Sequence, residues 1–420
     1  MGLSTSPPSG FRDFLPEACA ARHQVVETIS RVYRAFGFLP IATSAVEDLE
    51  MLMGKGGGDN EKLIFKILKR GEKLESAQGG DLADMGLRFD LTLPLARYYS
   101  RFSGQLPHPF KAFHIGPVWR AERAQKGRYR EFFQCDADII GSESLVCEIE
   151  VISAILAALK AFDLEPVVAL NDRGLALGQL RRLSIPEDKL GAACVILDKI
   201  DKAGEEAVRA DLAAQGLERA WELTGLSLAD FAPVDRKAVD TLKAIIDSVN
   251  ESSGRQAVEF SSSLMRGFDY YTGPVFEFRH PRLSGSLGGG GRYDRLTEKF
   301  SGKPVPACGG SIGFERLMLL LDESDAGAKV EGPDACVLVF SEELLGVSLR
   351  AAALLRRAGW SVDVYPGSGK LKAQFKYADS RKAKLAVIIG PEEAALGQVK
   401  VKELSSGTER LTTLEALAAS

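Results

Sequence analysis

A chain of 420 residues exceeds what one hydrophobic core usually organises, so two or three domains are expected, one of them large enough to enclose a ligand. With 45% hydrophobic and 26% charged residues, and no single-sign charge block, the composition is that of an ordinary globular protein and excludes extended disorder. The net charge of −4 excludes a generally basic surface, so any nucleic-acid surface has to be local. The candidates are Lys111 to Glu131 and the cluster Lys370, Lys372, Lys376, Arg381, Lys382 and Lys384, the alternative for each being a solvated face. Cys19, Cys135, Cys147, Cys194, Cys308 and Cys336 form no C-x-x-C pair, which supports neither a zinc site nor a disulfide framework. Met1 to Phe14 has no basic-then-apolar secretory pattern, and no run approaches the roughly 20 apolar residues that span a bilayer. A cytoplasmic protein that meets no membrane is expected.

Leu15 to Ala35 carries apolar residues at helical spacing and reads as a long helix, ended by the strand entry Gly37-Phe38-Leu39-Pro40-Ile41. Short alternating runs follow at Leu63 to Leu68, Leu87 to Asp90 and Lys111 to Gly116. Next comes a strand pair, Gly116 to Glu122 and Glu131 to Gly141, around the basic loop Arg123 to Arg130. Together they predict an antiparallel sheet with functional loops. Ser144 to Leu164 is apolar at helical period, and Val167 to Asn171 reads as a strand. Asp172 to about Ser252 is almost wholly helical by propensity and reads as an insertion within the larger domain. Strands resume at Ala257 to Phe260 and Pro274 to Phe278, before a glycine run at Gly288 to Gly291 and a helix at Gly313 to Leu321. The glycines lack the spacing of a dinucleotide fingerprint and fit close backbone packing near a ligand better. Asp322 to Pro333 has linker composition, and strand and helix then alternate from Ala335 to Glu403, predicting a small α/β domain. The expected division is 1–325, with the insertion at about 172–252, and 331–420.

Arg120-Ala121-Glu122-Arg123-Ala124-Gln125-Lys126-Gly127-Arg128-Tyr129-Arg130-Glu131-Phe132-Phe133-Gln134 packs arginines and an aromatic-rich strand around a hairpin loop. Guanidinium forks suit phosphate oxygens, and an aromatic face with an arginine plane can sandwich a purine. That is a nucleotide site without a glycine-rich phosphate loop. The stretch resembles motif 2 of the class II aminoacyl-tRNA synthetases. The long helix ending in Gly37 to Pro40 resembles motif 1, the dimer-forming element, and Gly313-Phe314-Glu315-Arg316-Leu317 resembles motif 3. Met265-Arg266-Gly267-Phe268-Asp269-Tyr270-Tyr271-Thr272-Gly273-Pro274-Val275-Phe276-Glu277 is similar to the stretch peculiar to histidyl-tRNA synthetases, with phenylalanine at 268 where leucine is usual. Leu87 to Pro94 and Gln134 to Asp138 look like that family's substrate loops.

The resemblance implies an α+β fold with a helical insertion and a C-terminal anticodon-binding α/β domain. It also implies ATP-dependent activation of histidine, followed by transfer to the 3′ end of histidine tRNA. By the match, Arg120, Arg266 and Arg316 are the catalytic cations. Arg120 and Arg266 would meet charge developing on the α-phosphate, where fixed cations stabilise the transition state more than the ground state. Phe132 and Arg316 would sandwich adenine, with Glu122 and Arg128 completing the ATP site. Asp90, Thr92 and Gln134 resemble ammonium ligands, and Asp138, Tyr270 and Tyr271 resemble imidazole partners. Arg123 and Gln125 would meet the tRNA acceptor end. A slot bonding both ring nitrogens discriminates by roughly 10⁴ or more, so no editing domain is needed. Mg²⁺ is expected with ATP, no structural metal is implied, and the motif 1 likeness implies a homodimer.

His114-Ile115-Gly116 lacks the final histidine of the other synthetase class's signature and sits in a strand. Three rivals compete: a non-catalytic regulatory subunit of histidine biosynthesis, a synthetase for another amino acid of the same subclass, and a sensor of uncharged tRNA. Arg266 to Tyr271 and residues 335 to 403 argue against the first two. Arg120, Arg266 and Arg316 would have no use in the third.

Overall fold

The computed structural model describes residues 3–53, 59–77, 82–123, 127–265, 270–322, 332–367 and 370–419. The chain divides into two units, Met1–Gly327 and Ala328–Ser420.

The strands of the first unit are β1 (Leu39–Pro40), β2 (Val46–Asp48), β3 (Lys66–Leu68), β4 (Ala83–Leu87), β5 (Phe110–Trp119), β6 (Glu131–Ile140), β7 (Val167–Asp172), β8 (Val258–Phe260), β9 (Pro274–Arg279), β10 (Gly288–Arg292) and β11 (Ala307–Gly313). Eight of them form one sheet in the order β1-β5-β6-β11-β10-β9-β7-β8. Its interior is antiparallel as expected, but both edges are parallel, β1 on β5 and β7 on β8, so the sheet is mixed. A parallel pair needs a long crossover, and the β7–β8 crossover is the region read as an insertion. It opens with Asp172 accepting from the Leu175 amide at 3.0 Å. It closes with the Arg236–Ser253 helix, capped by Asp235 at 3.1 Å and stopped by left-handed Gly254.

Alternation along β6 sorts its side chains to two faces. Phe133, Cys135, Ala137 and Ile139 pack on the Pro16–Ala35 and Val146–Lys160 helices, in a cluster that continues into the crossover through Leu212, Phe231, Leu242 and Val249. The Tyr33 hydroxyl donates to the Cys135 carbonyl at 3.1 Å, tying the first helix to the sheet. The other face carries Phe132, Gln134, Asp136 and Asp138, which line a cavity. β2, β4 and β3 form a separate three-stranded sheet.

Local readings differ in four places. Leu63 to Leu68 is a 3₁₀ turn, Asp59–Leu63, and then a short strand, because the backbone must turn before it pairs with β4. Leu87 to Asp90 leaves the sheet at Leu87 to start the Thr92–Phe102 helix, which tolerates Pro94 in its first turn. The two runs read at Lys111 to Gly116 and Gly116 to Glu122 are one strand, β5. The glycine run is also a strand, β10, and glycine-rich β11 beside it was not anticipated. Most of the linker, and residue 325, lie outside the described residues.

The second unit holds β12 (Ala335–Leu338), β13 (Val362–Val364), β14 (Leu385–Ile388), β15 (Gln398–Glu403) and β16 (Glu409–Thr413), in the order β13-β12-β14-β15-β16. Ala335 and Val337 face one apolar cluster, Cys336 and Leu338 another, so both faces are covered. β16 and the Leu414–Ala418 helix lie beyond the last element read from sequence.

Candidate active site

The face of the large sheet that carries Phe132, Gln134, Asp136 and Asp138 is the floor of a cavity of about 430 Å³. Asp90, Thr92, Arg120, Glu122, Arg123, Arg128, Phe132, Gln134, Asp138, Tyr270, Tyr271 and Arg316 all line it. Arg266 and Gln125 lie outside the described residues.

Glycine explains how the floor can be so close to the backbone behind it. A Cβ on Gly309 would sit 1.7 Å from Asp138 Oδ1, and one on Gly290 would sit 2.0 Å from the Gly309 carbonyl. On the far side, a Cβ on Gly310 would meet Ile155 of the Val146–Lys160 helix at 2.8 Å. Side chains at these glycines would run into Asp138, the neighbouring strand or the core.

One end of the cavity is acidic and phenolic. Buried Arg88 donates to the Pro117 and Thr43 carbonyls at 3.0 and 2.9 Å, fixing the turn that presents Asp90. Asp90 Oδ1 accepts from the Leu93 amide at 3.1 Å, while the buried Oδ2 has no partner among the described residues. Burial raises the Asp90 carboxyl, against the Leu93 amide and Arg120, which lower it. Gln134 Nε2 donates to Asp136 at 3.2 Å, and the Tyr293 hydroxyl donates to Asp138 Oδ1 at 2.5 Å. Burial pushes Asp136 up to about 7 and Asp138 well above the carboxylate range, the second also through the charge of Asp136. Three neighbouring carboxylic acids away from water do not all hold charge near neutrality. His114, opposite Asp136 on β5, is pushed down to about 4 by burial and by Arg88. Tyr270 hydrogen-bonds Thr92 and Tyr271, and its ring meets that of Tyr271 at 4.8 Å between centroids.

The other end is cationic and aromatic. Arg120 Nε donates to the Phe89 carbonyl at 3.0 Å, Nη2 reaches Gln134 Oε1 at 3.4 Å, and the guanidinium lies 5.0 Å from the Phe132 ring centroid. Burial lowers this guanidinium while Asp90 and Glu122 raise it; arginine stays charged throughout. Arg316 Nη1 donates to the Ser286 carbonyl and, at 3.3 Å, to its hydroxyl. Glu122 and Arg128 pair at 3.5 Å with both side chains exposed, a contact weak enough to yield to a ligand.

The reading from sequence assigned no role to Tyr293, Asp136, Ser311, Asp198, Glu277 or Tyr129, all on the cavity wall. A phenol directly after the glycine-run strand was the available signal for Tyr293. Asp198, from the crossover, had none.

This sheet, with an arginine-bearing hairpin facing a helix that carries a second arginine, defines the catalytic unit of a class II aminoacyl-tRNA synthetase. A family model described as histidyl-tRNA synthetase matches residues 10–317, and one described as anticodon binding domain matches 334–419. The chain belongs to the histidyl-tRNA synthetase family. The histidine–tRNA ligase of Leifsonia xyli subsp. xyli is 38% identical over 403 residues, covering 89% of this chain and 92% of that one. The corresponding protein of Christiangramia forsetii is 35% identical, covering 97% of each. The crystal structure of histidyl-tRNA synthetase from Nostoc sp. PCC 7120 matches with a TM-score of 0.82 at 28% identity, over 100% of this chain and 99% of that one. A Bacillus halodurans structure described as an ATP phosphoribosyltransferase regulatory subunit/histidyl-tRNA synthetase shares the fold, with a TM-score of 0.73 at 24% identity, over 90% of this chain and 97% of that one.

Proposed function

We propose that this cavity joins histidine to ATP and passes the activated histidine to the 3′ end of histidine tRNA. The observation that carries the reading is one cavity with a buried carboxylate oxygen at Asp90, unpartnered among the described residues, beside Asp138 and three tyrosines, and Arg120, Phe132 and Arg316 at the other end. Asp90, Thr92 and Gln134 take the ammonium of histidine, and Asp138, Tyr271 and Tyr270 its ring. Adenine lies between Phe132 and Arg316, with Glu122 and Arg128 beside it.

The histidine carboxylate attacks the α-phosphorus, the bond to the bridging oxygen breaks, and pyrophosphate leaves with the electron pair. Arg120 and, by the family match, Arg266 offset the added charge on the α-phosphate. A ribose hydroxyl of the tRNA end then attacks the acyl carbon and releases AMP. Asp198 and Glu277, two of the wall carboxylates outside the histidine cluster, would hold a Mg²⁺ bound with ATP, which would supply positive charge to the leaving pyrophosphate. Arg123 and Gln125 meet the acceptor end, and residues 331–420 meet the anticodon. The Pro16–Ala35 helix with β1 is the dimer-forming element, and the protein works in the cytoplasm. No helix among the described residues is long and apolar enough to cross a membrane.

Pyrophosphate exchange into ATP, run separately with each of the twenty amino acids, tests the reading. Exchange with histidine alone is expected. Silence with every amino acid would put the regulatory relative in its place.

A further inference from the structure

Glu315 and Arg316 are consecutive on the Phe314–Asp322 helix, and Arg316 lines the nucleotide end of the cavity. Glu315 is buried, and Arg22 already pairs with both of its oxygens, Nη1 to Oε2 at 2.9 Å and Nη2 to Oε1 at 2.7 Å. Burial works to raise this carboxyl, but the bonds and charges of Arg22 and Arg12 hold it below its ordinary value. A single bidentate arginine satisfies such a carboxylate, so neutralising Glu315 does not call for Arg12.

Arg12 does something Arg22 does not. While one Nη bonds Glu315, its guanidinium lies 3.3 Å from the ring centroid of Tyr129, a wall residue on the hairpin loop between β5 and β6. The backbone before Arg12 is pinned to the same loop. The Gly10 carbonyl accepts from the Arg130 amide at 2.9 Å, and the Ser9 carbonyl accepts from Arg130 Nη1 at 3.2 Å. Gly10 has φ +87°, and a Cβ there would meet Arg130 Cγ at 2.7 Å. Arg12 itself does not line the cavity.

We propose that Arg12 is a positioning residue for the nucleotide: it holds the Tyr129 wall of the hairpin at a set distance from the helix bearing Arg316, and so sets ATP affinity without touching ATP. This rests on the reading that the cavity binds ATP. The family match supplies no role for Arg12, and Arg12 contacts Glu315 and Tyr129 rather than Asp90, Asp138, Tyr270 or Tyr271.

The test is histidine-dependent pyrophosphate exchange with calorimetric titration of ATP on the same full-length proteins. A partly buried guanidinium–ring contact corresponds to up to about tenfold in binding. Arg12→Ala is therefore expected to raise KM for ATP and weaken ATP binding by about tenfold, leaving KM for histidine within about twofold. Arg12→Lys keeps the charge beside Glu315 but loses the flat stack, and should resemble Arg12→Ala. Tyr129→Phe keeps the ring and should resemble the parent protein. Tyr129→Leu should weaken ATP as Arg12→Ala does, and the double variant should be no worse than either single one. Equal rises in both KM values, unchanged ATP affinity with only a lower melting temperature, or full additivity would each overturn the proposal. If Arg12→Ala fails to fold, Arg12→Lys and Tyr129→Leu decide it. Absent exchange in the parent protein would instead refute the ligase reading, while the ATP titrations still judge Arg12.

Discussion

Gly309 illustrates how a residue with no side chain can define a substrate pocket. A methyl group there would collide with Asp138 Oδ1, itself held by Tyr293, and neither the floor strand nor the buried carboxylate has room to retreat. Gly309→Ala should raise KM for histidine by about tenfold or more, the equivalent of about 1.4 kcal/mol, with a smaller effect on ATP, read from exchange kinetics. A uniform loss of activity at unchanged KM would count against that account. Asp136 and His114 make a second prediction, because they titrate in opposite senses. A carboxyl raised from 3.8 to about 7 is more protonated folded than unfolded, so its contribution to stability is lost as pH rises through about 7. An imidazole lowered from 6.5 to about 4 is less protonated folded than unfolded, so stability falls as pH drops through that window. Asp136 also faces Asp90, Asp138 and Arg120, and His114 faces Arg88. Asp136→Asn, which still accepts hydrogen bonds from Gln134 and Ser311, should make the melting temperature climb more steeply from pH 4 to 6.5. An unaltered slope would mean that Asp136 titrates as an ordinary carboxylate.

Strand β10 has almost no side chains to pack, since four of its five residues are glycine, and β11 packs only through Ala307, Cys308 and Ile312. They are held by hydrogen bonding on both sides and by one buried ion pair at the end of β10. Arg292 Nε and Nη2 meet the two oxygens of Glu148 on the Val146–Lys160 helix at 2.6 and 2.8 Å, with both side chains buried. Removing Glu148 leaves buried Arg292 with only the partly exposed Asp294, at 3.2 Å, as a charged partner, so Glu148→Ala should cost about 3 kcal/mol in chemical unfolding, whereas replacing both with apolar residues should cost far less. Equal losses for the single and double replacements would show that the pair acts through packing instead. The Pro16–Ala35 helix is tied by the Arg22–Glu315 ion pair and, directly to the sheet, by a neutral bond from Tyr33 to Cys135. Tyr33→Phe should therefore cost only about 1 kcal/mol by the same measurement.

The two units each bury their own apolar clusters, one set on the large sheet and the crossover, the other on the two faces of the β12–β16 sheet. With the activation site wholly within the first, a chain ending at Gly327 should retain histidine-dependent pyrophosphate exchange while charging of histidine tRNA falls steeply. Loss of exchange in a folded fragment would show that the second unit is needed for activation itself.

Much of this was legible in the residues. Long periodic segments such as Leu15 to Ala35 and the Arg120 to Gln134 hairpin carry their structure locally, because helical and strand periods, basic loops and capping residues act over a few positions. Most of the wall side chains were legible too, because they sit inside contiguous motifs. What the sequence could not disclose depends on partners far along the chain. Parallel pairing at β1 and β8, and strand identity for Gly288 to Arg292 and Ala307 to Gly313, come from neighbours that supply hydrogen bonds to segments with little propensity of their own. Tyr293 on Asp138, Asp198 on the cavity wall and Arg12 between Tyr129 and Glu315 arise only when the sheet brings distant segments to one face. Sequence determined which chemistry this protein carries; the tertiary structure decided which groups share water-free space, since burial and distance set their charge and are properties of the packed chain.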